Sequence, residues 1–381
     1  MKRTMKKMVS MALTGTMAVA VLAGAGTSEV KAADKAKIGV LVADVSGEEA
    51  QGFRSYYENY IAGNYDVEFN YTDALQSAED EKTAIEKFAS QGCQAIISFS
   101  SNDRVQQIET CEKYGVYYAV ASGVLDDAQY ETYKTYEYFA GQVGPGNDTE
   151  FEAGKDMGAY YKEQGVSKVA IYGAFIPNPM HVYRVAGVLN GLGCTYGGES
   201  DMNAIAGQIF QDQTVDLSKV EGDVEVVSYL QGYGDTTTDE LNAAIQKTPD
   251  AFISVGMATT FFAQSLSEAG ISFSDIDSFT ETNGNSMKNG TLTYLAGKYS
   301  SSIGPVFALV MNAINGNVIR DEDGNAPSIS QGYLVATDSD IFDKYSVSDS
   351  GDAPIYDKET LDSIIGDNVT FEDVKTLVES K

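Results

Sequence analysis

Short apolar runs alternate along this chain with longer stretches in which apolar positions recur at helical spacing. The first run, Lys37-Ile38-Gly39-Val40-Leu41-Val42-Ala43, is nearly all apolar, as a strand buried on both faces requires. Similar runs at 67–71, 95–99 and 117–121 predict three more strands. Helical spacing predicts helices over 48–62, 77–91 and 103–114 between them. In the second of these, Ala78, Ala84, Ile85, Phe88 and Ala89 form the apolar stripe, and Gly92 stands where a helix C-cap belongs. Strands separated by helices predict a parallel sheet covered on both faces.

A second ladder follows Gln142-Val143-Gly144-Pro145-Gly146-Asn147, a Gly/Pro-rich stretch that reads as a hinge. Beyond it the pattern predicts helices over 150–163, 180–191, 238–246 and 259–269, with strands at 168–172, 225–229 and 251–255. Runs at 278–282 and 291–296 read as strands of the first lobe, and a helix over 303–315 as a return to the second. The fold class is therefore α/β, with two doubly wound parallel-sheet lobes joined by a hinge. The expected boundaries are 36–142 with 278–302 for the first lobe and 147–277 with 303–337 for the second. Residues 340–381 form an acidic tail with short helices at 358–365 and 371–379. Strand carboxyl ends from both lobes would face the cleft between them, where open α/β sheets bind ligands.

The first 32 residues read differently. Lys2, Arg3, Lys6 and Lys7 precede an uncharged small and apolar stretch over 8–26, and Val30-Lys31-Ala32 fits the pattern before a signal-peptide cleavage site. The alternative is a membrane anchor, and the cleavage-like tail favours removal. Leu22-Ala23-Gly24-Ala25 has alanine where a lipoprotein signal carries cysteine, so an exported, untethered protein is expected, periplasmic or extracellular.

The formal charge is −29, and removing residues 1–32, with five Lys/Arg and Glu29, takes it to −33. Such a field repels nucleic acid and anionic lipid. Cys93, Cys111 and Cys194 form no zinc spacing. Cys93 and Cys111 both fall on the sheet edge away from the strands' carboxyl ends. A disulfide between them is geometrically allowed, and two buried thiols are the alternative.

Over residues 36–337 the chain resembles the type I periplasmic-binding-protein family, in its branch of simple-sugar ABC-transporter substrate-binding proteins. The resemblance rests on the run at 37–43, on Ile85 through Ser98, on the strand at 168–172 leading to Arg184-Val185-Ala186-Gly187, and on Asp250-Ala251-Phe252-Ile253-Ser254. It implies a monomeric receptor that traps one small sugar or sugar-like solute between its lobes and delivers it to a membrane permease. Aromatic faces suit the C–H faces of a sugar, and buried hydroxyls need Asp, Asn or Arg partners.

By the same resemblance Arg184, three residues before a glycine, is the expected ligand-reaching arginine. Its substitution by alanine would cost more than tenfold in affinity and leave the fold intact. Phe175, after the strand at 168–172, is expected to line the pocket, or else to pack in the core. The first lobe's strand ends offer Asp44, Glu49, Phe99, Ser100, Ser101 and Ser122. The sequence departs from common sugar binders in two places: Ser46-Gly47-Glu48-Glu49 replaces adjacent aromatics, and Ser122-Gly123 replaces an Asp/Arg pair. In the second lobe Tyr233 offers a stacking face, although with 24 tyrosines in the chain packing is the commoner use of one. Met257 would meet an apolar ligand face. Glu281 and Lys298 would pair with each other or read an amine-bearing or zwitterionic ligand.

The sequence offers no catalytic constellation. His181 is the single histidine, no nucleophile-elbow phrase occurs, and Asp44-Val45-Ser46-Gly47-Glu48-Glu49 is acidic where a phosphate loop would be glycine-rich. A cofactor is not implied, and the expected role is binding rather than catalysis. Two alternatives stand beside the sugar receptor: a nucleoside-binding protein of the same fold, and a sensory module that presents its ligand to a membrane receptor.

Overall fold

The computed structural model describes residues 35–349 and 353–381; the leader at 1–32 lies outside them. The chain runs β1 (Ala36–Leu41), α1 (Glu48–Ser55), continued by a wider turn over Tyr56–Ile61 into α2 (Ala62–Asn64), then β2 (Val67–Tyr71), α3 (Ala78–Ser90), β3 (Ala95–Ser98), α4 (Arg104–Tyr114) and β4 (Tyr117–Ala121). It continues through α5 (Asp127–Tyr133), β5 (Phe139–Gly144), α6 (Asn147–Glu163), β6 (Lys168–Tyr172), α7 (Pro179–Gly191), β7 (Cys194–Tyr196), α8 (Met202–Asp212), β8 (Val220–Gly222) and β9 (Glu225–Leu230). Next come α9 (Thr237–Gln246), β10 (Ala251–Ser254), α10 (Ala258–Ala269), β11 (Ser272–Ser278), α11 (Glu281–Lys288), β12 (Leu292–Lys298) and α12 (Gly304–Ile314). The chain closes with β13 (Ser328–Ser330), β14 (Leu334–Ala336), α13 (Ser339–Asp349), α14 (Lys358–Asp362) and α15 (Phe371–Glu379).

Among the described residues these strands form two six-stranded sheets and a small β7–β8 hairpin. The first sheet has the order β13-β5-β4-β3-β1-β2 and is parallel throughout. The second has the order β14-β12-β11-β10-β6-β9, with only β14 antiparallel. Each sheet is the centre of one lobe.

The late strands correct the expected lobe boundaries. β11 and β12 lie in the second sheet, not the first, and α12 packs on β3, β4 and β5 of the first lobe rather than returning to the second. The strand expected at 278–282 ends at Ser278, and Glu281 opens α11. Asp275 and Asp277 hide this strand in the sequence: Asp275 is buried, and it accepts from Thr259 N at 3.0 Å and Ser254 Oγ at 2.9 Å. β5, β13 and β14 were not apparent in the apolar pattern.

The chain thus crosses between lobes at 145–146, at 299–303 and at 331–333, and α14 lies back on the first lobe after α13 on the second. Crossing residues bond one another: Gln331 Nε2 donates to Tyr299 Oη at 3.5 Å and to Tyr356 Oη at 3.2 Å. Residues 340–381 are no loose tail. α13 packs on α11 and β14, and α14 packs on α12 of the other lobe. Asn312, fully buried, clasps this segment through Ile364 O and Gly366 N, each at 2.8 Å.

α6 and α7 approach so closely that glycine is obligatory. A Cβ on Gly187 would sit 2.0 Å from Phe151 O, and one on Gly154 2.0 Å from Arg184 O. This contact fixes Arg184 on α7 against Glu150 on α6.

Candidate functional site

A cavity of about 1010 Å³ opens between the lobes at the carboxyl ends of the first sheet's strands. Its floor is built by the loops that leave those strands. After β3 the loop 100–103 is clamped by Glu81 of α3, a buried carboxylate that accepts from Ser100 Oγ, from Asn102 N at 2.9 Å and from Asp103 N at 2.9 Å. Burial pushes the Glu81 carboxyl up, but the donors from Ser100, Gln107, Asn102 and Asp103 together hold it below its ordinary value. It therefore stays ionised and keeps the loop in one shape.

That loop presents Arg104, the first residue of α4, to the cavity. Arg104 Nη1 donates to Val124 O at 2.5 Å, whereas its buried Nε has no partner among the described residues. Burial lowers its pKa, and Tyr118 and Glu81 pull the other way. A Cβ on Gly123 would stand 3.0 Å from Arg104 Nη2, so the glycine makes room for the guanidinium. The place after β4 that lacks an Asp/Arg pair is thus filled by an arginine from another helix. A buried donor left unpaired costs about 1–3 kcal/mol.

Sequence reasoning passed over Arg104, although one signal was present. A cation in the first turn of a helix opposes the helix dipole, so such an arginine needs another reason to be there. Arg54 and Tyr71 were also missed. The Arg54 guanidinium lies 4.5 Å above the Tyr71 ring, and both line the cavity. Tyr71 Oη is buried and unpartnered among the described residues.

Of the expected residues, Asp44, Glu49, Phe99, Ser122 and Lys298 line the cavity together. Phe99 stacks on Phe53 at 5.4 Å and leaves aromatic surface to the cavity. Asp44 is held in a turn by Ser46 N at 2.8 Å and Gly47 N at 3.0 Å, and these donors lower its pKa. Ser100 does not reach the cavity: it is buried and its hydroxyl is given to Glu81, whereas Ser101 lines the wall.

Glu49 links the lobes. It accepts from Ser278 Oγ at 2.5 Å and pairs with Lys298 at 3.5 Å. Lys298 therefore pairs with Glu49 across the cleft and not with Glu281, which is exposed at the edge of a smaller adjoining pocket.

Arg184 corrects the strongest expectation. It is 2% exposed and does not line the cavity. Its Nε donates to Glu150 Oε2 at 2.6 Å, Nη1 to Val255 O at 2.7 Å, and Nη2 to Tyr333 Oη at 2.7 Å. Tyr333 in turn donates to Glu150 Oε2 at 2.9 Å. This closed triad ties the first crossing, just before Glu150, to the third, which contains Tyr333. Every guanidinium nitrogen is already used inside the protein.

Phe175, Tyr233 and Met257 follow β6, β9 and β10, so they share the carboxyl edge of the second sheet, but none lines the cavity. They are exposed, and Tyr233, 60% exposed, stacks on Phe261 at 4.1 Å. Besides Lys298 and the start of α6, the second lobe contributes Asn178, Met180 and Tyr183 of the α7 start and Met202 and Phe210 of α8. His181 is buried beside them and accepts from Phe175 N at 3.2 Å on Nδ1. Burial, then the Arg184 charge, hold it down to about 4, so the ring is neutral. Cys93, Cys111 and Cys194 are free, buried thiols, which is the second of the two readings that the sequence allowed for Cys93 and Cys111. Burial pushes the Cys93 thiol up to about 11.

No family model matches the chain, and no curated protein matches it. Solved structures do. A periplasmic solute-binding protein of an ABC transporter from Actinobacillus succinogenes 130z, with bound D-allose, matches at TM-score 0.61 and 16% identity, over 82% of this chain and 100% of that one. The arabinose transporter component from Shewanella sp. ANA-3, bound to L-arabinofuranose, matches at TM-score 0.56 and 15% identity, over 86% and 98%. A solute-binding protein from Bacillus halodurans C-125 with myo-inositol matches at TM-score 0.57 and 16% identity, over 83% and 99%.

Proposed function

We propose that this chain, whose fold is that of the type I periplasmic binding proteins, is the solute receptor of an ABC importer. It captures a neutral sugar or polyol between its lobes and presents it to a membrane permease. The observation that carries this reading is Arg104, whose one hydrogen bond among the described residues goes to Val124 O and which lines the cavity together with Phe99 and Tyr71. Hydroxyl-rich ligands supply acceptors for such a donor and C–H faces for such rings. The acidic lining disfavours anions, since six carboxylates besides the Arg184-paired Glu150 line the cavity against Arg54, Arg104 and Lys298. The role is capture and release, not catalysis. The leader pattern at 1–32 agrees with export, and among the described residues no helix is long and apolar enough to cross a membrane.

The test is a thermal-shift screen of the purified chain against neutral sugars, sugar alcohols, inositols and nucleosides. A ligand at a hundred times its Kd adds about 2.7 kcal/mol, a readily measured shift. The expected result is a hit among sugars or polyols whose affinity falls at least tenfold in Arg104→Met. A hit confined to nucleosides, or one indifferent to Arg104, overturns the assignment.

A further inference from the structure

The floor of the cavity runs the whole width of the first sheet. Its lining includes Tyr71 of β2, Ala43 after β1, Phe99 after β3, Ser122 after β4, Pro145 after β5 and Ser330 of β13, so every strand of the first sheet contributes. Six parallel strands about 4.8 Å apart span roughly 24 Å from first to last. One hexose ring covers only a fraction of that length. The volume of about 1010 Å³ also sits at the upper end of what drug-sized ligands occupy.

Apolar side chains line the cavity from both lobes. The first lobe gives the Phe53–Phe99 pair beside β1 and β3. In the second lobe Met180, Tyr183, Met202 and Phe210 form a half-buried wall. There the Tyr183 and Phe210 rings meet edge to face at 6.4 Å, and Tyr183 Oη donates to Asn203 Oδ1 at 3.1 Å, which fixes the ring. Opposite stands α5 of the first lobe with Asp127, Gln129 and Tyr130, polar groups suited to hydroxyls.

We infer that the cleft takes a neutral glycan of at least two rings, one over Phe53 and Phe99 by Arg104 and the next against the Met180–Tyr183–Met202–Phe210 wall. This rests on the receptor reading above and extends it, because the relatives described above hold single small sugars or inositol. The carboxylate excess along the lining disfavours an anionic glycan.

Isothermal titration of the purified chain with cellobiose, maltose, lactose and xylobiose, and with glucose, galactose and xylose, tests it. The expected result is a disaccharide that binds at least tenfold tighter than its component sugars, with that ratio collapsing toward one in both Phe210→Ala and Met202→Ala. Two variants are needed so that a folding defect in one does not decide the outcome. A monosaccharide binding as tightly as its disaccharide, or a ratio unmoved in both variants, overturns the inference and leaves the receptor standing. Binding by no sugar of either length overturns the receptor reading and the inference with it.

Discussion

Arg104 in the first lobe and Arg184 in the second each sit on a helix that follows a strand's carboxyl end, and their environments are opposite. Arg184 has Glu150, Val255 O and Tyr333 on its three nitrogens and is sealed from the cleft. Arg104 has Val124 O alone, keeps Nε unpartnered among the described residues, and faces the cavity. The first lobe thus carries incomplete hydrogen bonding at the site, whereas the second spends its arginine on rigidity at the hinge. A buried charge that is fully paired is structural. One that is partly paired and aimed at a cavity is poised for a ligand.

The largest effect that would break this contrast is on Arg184. Arg184→Ala leaves the buried Glu150 carboxylate uncompensated and is expected to cost about 3–5 kcal/mol of stability by denaturant unfolding. Arg104→Met is expected to leave unfolding stability close to that of the unaltered chain and to weaken ligand binding instead. If Arg184→Ala keeps full stability and loses affinity alone, the assignments of the two arginines are reversed.

Acid should act through the second lobe next. His181 takes its proton at about 4 when folded, against 6.5 ordinarily. The unfolded chain binds that proton first, so the contribution is complete above 6.5 and is lost as pH falls toward 4. At 1.36 kcal/mol per pH unit the loss is on the order of 3 kcal/mol. His181→Asn, which keeps an acceptor for Phe175 N, should flatten stability over that window in denaturant titrations at stepped pH. An unchanged slope would show that the ring is not held neutral.

The smallest effect concerns the contact between lobes. Lys298 and Glu49 are partly exposed at 3.5 Å, a type of pair worth about 0–1 kcal/mol. Lys298→Met should weaken ligand affinity a few-fold at low salt and less at high salt. A salt-independent loss of tenfold or more would mean that Lys298 meets the ligand directly.

Much of the framework was legible in the chain because it is written in local pattern. β2, β4 and β6 lie where the apolar runs placed them, and the hinge stretch at 142–147 contains the first crossing. Apolar periodicity reports burial of a segment, and burial of alternating strands and helices has few solutions. It does not report which sheet a strand joins. β11 and β12 were therefore assigned to the wrong lobe, with the buried Asp275 disguising one of them. Phe99, Ser122, Asp44, Glu49 and Lys298 were found because strand ends were counted, and those positions do converge.

What the sequence by itself determined was the alternation of buried strands and covering helices, and hence a two-lobed parallel α/β protein with strand ends at the cleft. Only the tertiary structure decided which arginine is free to bind. Arg184 meets Tyr333 across 149 residues, and Arg104 reaches Val124 O across 20. Charge satisfaction depends on groups brought together from distant parts of the chain, and no local pattern encodes it.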